Sequence, residues 1–598
     1  MPESTEYLVL TEATLPRLLV RALFKRPTCL VAVRSFLSGV DDGVLGRLAG
    51  RLRAKGRLID LDHDHAADLT YRNDIRLIMA EDAFATNESA VERTFAFAVS
   101  DERFGRYGLA YRHAVCSRAL ARLRLMHRIA DVSRFANPDR DRIVGLGPED
   151  VALFRARFGR VPPLPISGGL RIRGLIATLI TCLSIATGLA WLVTTIRPSR
   201  TSPRKFLLAS DFINDGRDLQ LWQEVADDPS AIMVVFRNRE LAREGAKLAA
   251  GWPSCVRTDG RFTPAAGLRA MVELVADSCF LFWRGRSLPL DIFRTLAPLP
   301  YKRMVFRGLF NRYRFQFFWD RSDYNSEHIM CSQELRATGG QPLGLMHGIP
   351  SICNVMPQLR HLDYDIYYCM SRYQYLNYYR AKWSPSMRVR FIGSFGLTRE
   401  EHHRLTLPRR RDIVFFVVSA THGVAGLEVV DKLATAFPER RIYVSAKRKF
   451  DSGAYGAAMA ALEERHRNVR IHRGRSYELL FECNYAFSQG STLAAEAAQA
   501  GLYSFTLDLD IEQWKVNFYR AFPGMCLHSA EDVIERIRAI EAGTWTYPRH
   551  LYGGMIEMSG RIFYDIVRED LGLPTKDEVL PHLAFVPDEG HRRQLTMT

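Results

Sequence analysis

Tyr485-Ala-Phe-Ser-Gln-Gly-Ser-Thr-Leu-Ala-Ala-Glu-Ala-Ala-Gln-Ala-Gly501 reads as one structural unit: an apolar strand, a tight polar turn and a helix. Gly490 supplies the turn, Ser491 or Thr492 opens the helix, and Gly501 stops it. A short strand feeding directly into a helix is the repeating unit of a parallel sheet, because parallel neighbours are reached only through a crossover. The mouth of such a helix presents unpaired N–H groups and a partial positive charge, so a phosphate can dock there with the Ser491 and Thr492 hydroxyls as further donors. Glu496, one turn further in, is placed to accept from ribose hydroxyls. Ordinary capping by Ser491 or Thr492 is the competing reading, although Glu496 stands one position too far from Thr492 for a capping box.

The same alternation extends outward on both sides. Ile413–Val418, Arg441–Val444, Val469–Ile471 and Ser504–Leu507 are apolar runs at helix-separated intervals around the quoted stretch. A second series precedes it: Lys205–Ala209, Ala231–Phe236, Cys279–Trp283, His328–Cys331, Leu343–Met346 and Val389–Gly393. The charged, proline-containing Thr398–Asp412 separates the two. The pattern predicts an α/β fold with two facing Rossmann-like domains, 203–396 and 397–575, whose strands aim their carboxyl ends at a shared cleft. Tyr7–Leu10, Cys29–Val33 and Arg57–Leu61 predict a small α/β N-terminal accessory domain over 1–160, and 576–598 reads as a polar tail.

Between the first two units lies 161–202, a Pro/Gly-rich linker and one membrane helix. Gly174–Ile196 carries no charge, and at ~1.5 Å per residue it covers about 34 Å, enough for a hydrocarbon core of ~30 Å. A buried core helix is the competing reading. Basic residues flank both ends (Arg171 and Arg173; Arg197, Arg200, Arg204 and Lys205), so the positive-inside signal cancels. Spanning would export one globular half, and the acidic N-terminus with Glu3 and Glu6 is no secretory signal. The segment is therefore expected as a re-entrant or tilted anchor, with the catalytic domains facing the cytosol at the inner (cytoplasmic) membrane.

The 598 residues, 47% hydrophobic and 25% charged, exclude a disordered chain, and the net charge of +16 favours anionic partners. The ten cysteines form neither a CxxC pair nor a metal-ligand spacing, so no metal site is expected. The basic and aromatic run Tyr301–Phe318 would suit single-stranded nucleic acid, but beside an apolar anchor a membrane surface or anionic lipid-linked acceptor is the better match, with a plain packed helix and snorkelling arginines as the competing reading. No nucleic-acid partner is expected.

Further candidates fall at predicted strand ends. Gln341–Pro350 leads a strand into His347 and Gly348: the glycine permits close backbone approach, and the histidine can move a proton near neutral pH. Asp363, Asp365 and Tyr367 follow, and Gly393-Ser394 ends the next strand. Thr421 and His422 follow the strand that ends near Ser419, and Lys447 follows the strand that ends at Val444. A lone histidine after a strand is more often structural; its company raises this one.

The succession Gly-Leu-Met-His347-Gly348-Ile-Pro, Asp365 before Tyr-Tyr-Cys, Val389-Arg-Phe-Ile-Gly393-Ser394 and Ser491-Thr492-Leu-Ala-Ala-Glu496 resembles the GT-B glycosyltransferases of bacterial surface polysaccharide (capsule and lipopolysaccharide) biosynthesis. More distant relatives of that group include polysialyltransferases and polyglycerol-phosphate polymerases. The resemblance covers roughly 203–575, and the order and spacing of elements carry it more than any one motif. It implies a metal-independent enzyme without a cofactor, whose co-substrate is a nucleotide-sugar and whose C-terminal domain binds the nucleotide. Ser491, Thr492 and Glu496 then match phosphate and ribose contacts, and His347 the cleft-edge histidine, with His347 or Asp365 as base. Relatives often place His-Pro soon after the lysine that corresponds to Lys447, whereas Arg448 and Lys449 follow here, so the resemblance implies phosphate binding at Lys447 without a histidine role, and Thr421 and His422 are further candidates for the donor phosphates.

The function so implied is transfer of a sugar to a lipid-linked surface glycan at the cytosolic membrane face, with partners in a polysaccharide assembly complex. A nucleotide-sugar epimerase of the same twin-domain architecture and a non-catalytic membrane scaffold are the alternatives.

Overall fold

The computed structural model describes residues 6–10, 30–34, 50–52, 54–55, 58–60, 102–118, 122, 125–127, 129–130, 132, 136–162, 164–167, 170–198, 202–211, 216–236, 251–257, 259–321, 323–349, 357–405, 411–417, 423–446, 453–509, 518–576 and 579–580. They form an α/β fold with three sheets, and every strand pair in them is parallel.

The first sheet has five strands in the order Leu58–Asp60, Leu30–Arg34, Glu6–Leu10, Arg142–Val144 and Ile166–Ser167. Its last strand falls inside the stretch read from sequence as a linker. The second has seven: Arg388–Phe391, Ile366–Cys369, Gln341–Leu345, Tyr313–Asp320, Arg204–Asp211, Ile232–Phe236 and Cys255–Arg257. The third has six: Val469–His472, Ile442–Ser445, Asp412–Phe416, Cys483–Ser488, Tyr503–Leu507 and Cys526–Leu527. Central strands such as Ile232–Phe236 and Asp412–Phe416 are buried along their whole length, which is why they read as continuous apolar runs rather than as alternation.

Three sequence readings change. Cys279–Trp283 belongs to the helix Pro264–Gly285, and His328–Cys331 to the helix Glu327–Arg336. Tyr301–Phe318 divides into the helix Leu299–Arg312 and the strand Tyr313–Asp320, the fourth of its sheet. Apolar runs of four or five residues do not separate a strand from one buried helical turn.

The first and second sheets share a continuous apolar core, in which Tyr7 and Val9 belong to the same cluster as Ala209, Phe318 and Leu335. The buried Arg122 holds Asp150 at 2.6 Å and also pairs with Asp291 across that junction. Near the chain's end the helix Phe563–Asp570 returns onto the second sheet's side: Arg568 donates to Val225 O (2.6 Å) and pairs with Asp227 (2.9 Å), while Asp570 holds Arg388 (2.8 Å) and Arg390 (3.1 Å).

The apolar segment expected as an anchor is the helix Leu170–Thr195. The 23 residues from Arg173 to Thr195 contain an 18-residue window of mean hydropathy 2.0 and are long and apolar enough to cross a membrane by length and composition.

Candidate functional site

Thr492–Gln499 is a two-turn helix launched from the central strand Cys483–Ser488. Gly490 takes a positive φ of 78° in the turn, and Gly501 another (91°) after the helix. Ser491 is the N-cap: its hydroxyl oxygen accepts from Leu493 N–H at 3.2 Å, so the capping reading holds for that side chain.

Positions 492, 496 and 499 follow one another at helical spacing and form a polar stripe on one face. That stripe meets the second sheet's strand ends. The Thr492 hydroxyl donates to Ile349 O (2.8 Å) and accepts from Ile349 N–H (2.9 Å). Oε1 of Glu496 accepts from both the Ser394 hydroxyl and the Tyr477 hydroxyl, each at 2.8 Å. Ser394 N–H donates to Gln499 Oε1 at 2.8 Å, and Gln499 Nε2 donates to Glu557 O at 2.6 Å. The groups expected to meet phosphate and ribose are thus engaged within the protein in this conformation, with Glu496 only 2% exposed.

The two candidate glycines are required by this approach. A Cβ on Gly348, whose φ is +155°, would lie 2.6 Å from Thr492 Oγ1, and one on Gly393 would run into the Gln499 amide. Gly348, Gly393 and Ser394 therefore line a seam where the carboxyl ends of two sheets meet.

His347 stands beside that seam with its side chain 44% exposed. The ring of Tyr324 packs edge-on at 4.5 Å, and Nδ1 lies 3.9 Å from Oδ1 of Asp323. Asp323 is fully buried, and its Oδ2 accepts from the Tyr367 hydroxyl at 2.9 Å. Burial, with the nearby Asp320, pushes its carboxyl up to about 7, against the Tyr367 hydrogen bond, Arg321 and the backbone N–H of His347. An exposed imidazole over a buried acid that titrates near neutrality is an arrangement suited to general base chemistry, the acid orienting and neutralising the ring. Nothing in the sequence marks Asp323: it is one loop aspartate, and its partner Tyr367 is 44 residues away.

The segment that carries Asp323 is supported from the N-terminal third. His113, on the helix Gly108–Ser117, has Nε2 at 2.8 Å from Asp323 O and Nδ1 at 3.0 Å from Ser326 Oγ. Burial lowers its pKa to about 3, so the ring is neutral: Nε2 donates to the carbonyl and Nδ1 accepts from the serine.

Asp365 is placed elsewhere. It lies at the start of its strand, where its N–H donates to Pro342 O at 3.0 Å, and its carboxylate holds Arg336 Nε at 2.8 Å. His347 lies five residues beyond Pro342, about 16 Å along the sheet at ~3.3 Å per residue. The structure therefore does not bring Asp365 to His347; Asp323 stands in the position expected of it. Lys447, Thr421 and His422 lie outside the described residues.

Among the described residues, no group of three His, Cys, Asp or Glu side chains is arranged to hold a metal ion.

No family model and no curated protein matches the chain. Among solved structures it is similar to UDP-GlcNAc 2-epimerase from Neisseria meningitidis bound to UDP-GlcNAc, with 9% identity, 66% of this chain and 99% of that chain covered, and a TM-score of 0.37. It is also similar to Anabaena HepE in complex with UDP (12% identity, 61% and 98% covered, TM-score 0.38) and to the wall teichoic acid polymerase TagF (9% identity, 68% and 98% covered, TM-score 0.37).

Proposed function

We propose that the chain is a metal-independent GT-B glycosyltransferase that moves a sugar from a nucleotide-sugar donor to a lipid-linked surface glycan at the cytosolic membrane face. The observation that carries this reading is the seam itself: the Asp323–His347 pair on one sheet edge lies next to the mouth of the helix Thr492–Gln499 on the other. A base for the acceptor and a positive helix terminus for the leaving phosphate are the two devices such a transfer needs.

In this mechanism the acceptor hydroxyl gives its proton to the His347 ring while its oxygen bonds to the anomeric carbon. The bond from that carbon to the donor phosphate breaks, and the nucleotide leaves with the electron pair. Backbone N–H groups at the mouth of the helix Thr492–Gln499 stabilise the charge gathering on its phosphate. Asp323 keeps the imidazole oriented and balances its charge once protonated. Thr492, Glu496 and Gln499 position the two edges by holding the backbone that carries His347 and Ser394.

The test is a panel of UDP-, GDP-, CMP- and dTDP-sugars, first for thermal stabilisation of the purified chain and then for transfer to membrane-extracted acceptors. Stabilisation by one donor class, with acceptor-dependent release of the nucleotide that persists in EDTA, supports the reading. Isomerised donor without any acceptor points instead to an epimerase, and no stabilisation by any donor removes the proposal.

A further inference from the structure

Exposed apolar surface is concentrated in one place. Of the twelve exposed large apolar side chains among the described residues, all but Val161, Ile166 and Val579 lie on two helices, Leu170–Thr195 and Pro264–Gly285. The helices run antiparallel and in contact: Gly188 packs against Leu274, and Gly267 against Ile196. Both rest on the helix Leu299–Arg312, where Leu192, Leu274 and Met304 share a buried cluster and Trp191 packs on Gly308. Their outer faces are thereby turned away from the body. On one face Leu175, Leu179 and Leu183 recur every four residues, each more than half exposed; on the other stand Leu268, Val272 and Trp283, likewise. Isolated exposed leucines need no explanation, but a two-helix apolar face on a folded protein marks an interaction surface.

The charges say what it meets. After Arg173 the first helix has none. The acids of the second point inward, Glu273 to Arg307 at 2.7 Å and Asp277 to Arg106. The basic side chains stay with the outer surface: Arg286 lies over the Trp283 ring at 3.9 Å, Arg284 over Phe280 at 5.8 Å, and Arg269 and Arg197 are exposed. An apolar centre with a cationic rim and an interfacial tryptophan complements a bilayer with anionic headgroups. Two copies joined face to face would set cationic rims against each other.

The inward ion pairs also decide how the surface is used. Carrying the Pro264–Gly285 helix across a membrane with its partner would take the Glu273–Arg307 and Asp277–Arg106 pairs into hydrocarbon, where charges are costly. We infer that the two helices together form a docking platform that dips into one leaflet of an anionic membrane, with Leu170–Thr195 lying along the surface and not spanning it. This sharpens the membrane attachment within the reading above and is separable from its chemistry: vesicle binding measures one, and transfer to a solubilised acceptor the other.

The test uses the full chain and vesicles of phosphatidylethanolamine with phosphatidylglycerol, against vesicles of phosphatidylcholine alone. Co-flotation with the anionic vesicles is expected, weakening with salt and at least about tenfold lower in the double variant Leu179→Asp with Val272→Asp. In the wild-type chain, where folding is not in question, Cys182 and Cys279 are both exposed on the platform helices. Both should react with a maleimide in solution and become protected on anionic vesicles. Flotation with neither vesicle, or protection of both cysteines by concentration-dependent dimerisation without lipid, overturns the inference. So does protection of residues 1–160 from protease added to inside-out native membrane vesicles, which would show a span.

Discussion

At the edge where the strands of the seven-stranded sheet begin, Asp363 and Asp365 share Arg336, at 2.6 and 2.8 Å. At the opposite edge, where the strands end, Asp323 is sealed beneath His347 with a tyrosine hydroxyl 2.9 Å from one oxygen and the imidazole 3.9 Å from the other. The residue type is the same and the circumstances are reversed. The first pair shares the Arg336 guanidinium, which works against the burial that raises the Asp363 carboxyl. The second is desolvated and only partly compensated, so its proton is available near neutral pH. The comparison teaches that the carboxylate to follow in a parallel sheet is the poorly matched one at the carboxyl edge.

Four experiments break or sharpen the contrast. Removing the imidazole with His347→Ala should cost about a hundredfold or more in transfer while leaving the thermal midpoint close to wild type; near-normal turnover would dissolve the site. Asp323→Asn keeps the shape and removes the charge, and should lower turnover about tenfold. It should also erase a limb of the pH–rate profile near 7, because His347 draws support only from the ionised acid; a limb that survives would show another group titrating.

Stability has the opposite sign. A carboxyl raised from 3.8 to about 7 holds more proton in the folded chain between those values, so folding stability falls as pH rises through that window. Asp320, Arg321, Tyr367 and the His347 amide face the group, and none cancels its burial. The melting temperature of the wild type should therefore fall relative to Asp323→Asn between about pH 5 and about pH 8; parallel curves would show an unshifted acid.

The third change tests the seam. Gly348→Ala drives a methyl toward Thr492 Oγ1 and should destabilise by about 1–3 kcal/mol in denaturant titration, with a parallel loss of transfer. A neutral outcome would mean that the two edges are not held as described. The smallest effect belongs to the strand-start edge: Asp365→Asn breaks an ion pair that is about one-third exposed, worth under about 1 kcal/mol, and should leave turnover unchanged. A large loss of rate there would return Asp365 to the reaction.

The strand, turn and helix from Tyr485 to Gly501 were legible because local chemistry specifies them: a buried apolar run, a glycine at positive φ and a serine cap. The same holds for the long uncharged helix, whose composition admits little else. Thr492 and Glu496, expected as ligand contacts, are engaged within the protein in this conformation, since a polar stripe on an alanine-rich helix signals a polar contact without saying whether ligand or protein supplies it. Gln499, the third member of that stripe, carries the same signal.

By itself the amino-acid sequence determined the α/β class, the strands of the third sheet apart from its short edge strand Cys526–Leu527, the place of His347 and Gly348 just beyond a strand, and the apolar helix, because each follows from neighbours in the chain. Tertiary structure alone decided that Asp323 and not Asp365 lies under His347, and that Pro264–Gly285 lies beside the apolar helix. Both depend on parallel register and helix packing between segments tens of residues apart, and periodicity within one segment carries no information about which edge, or which partner, it will meet.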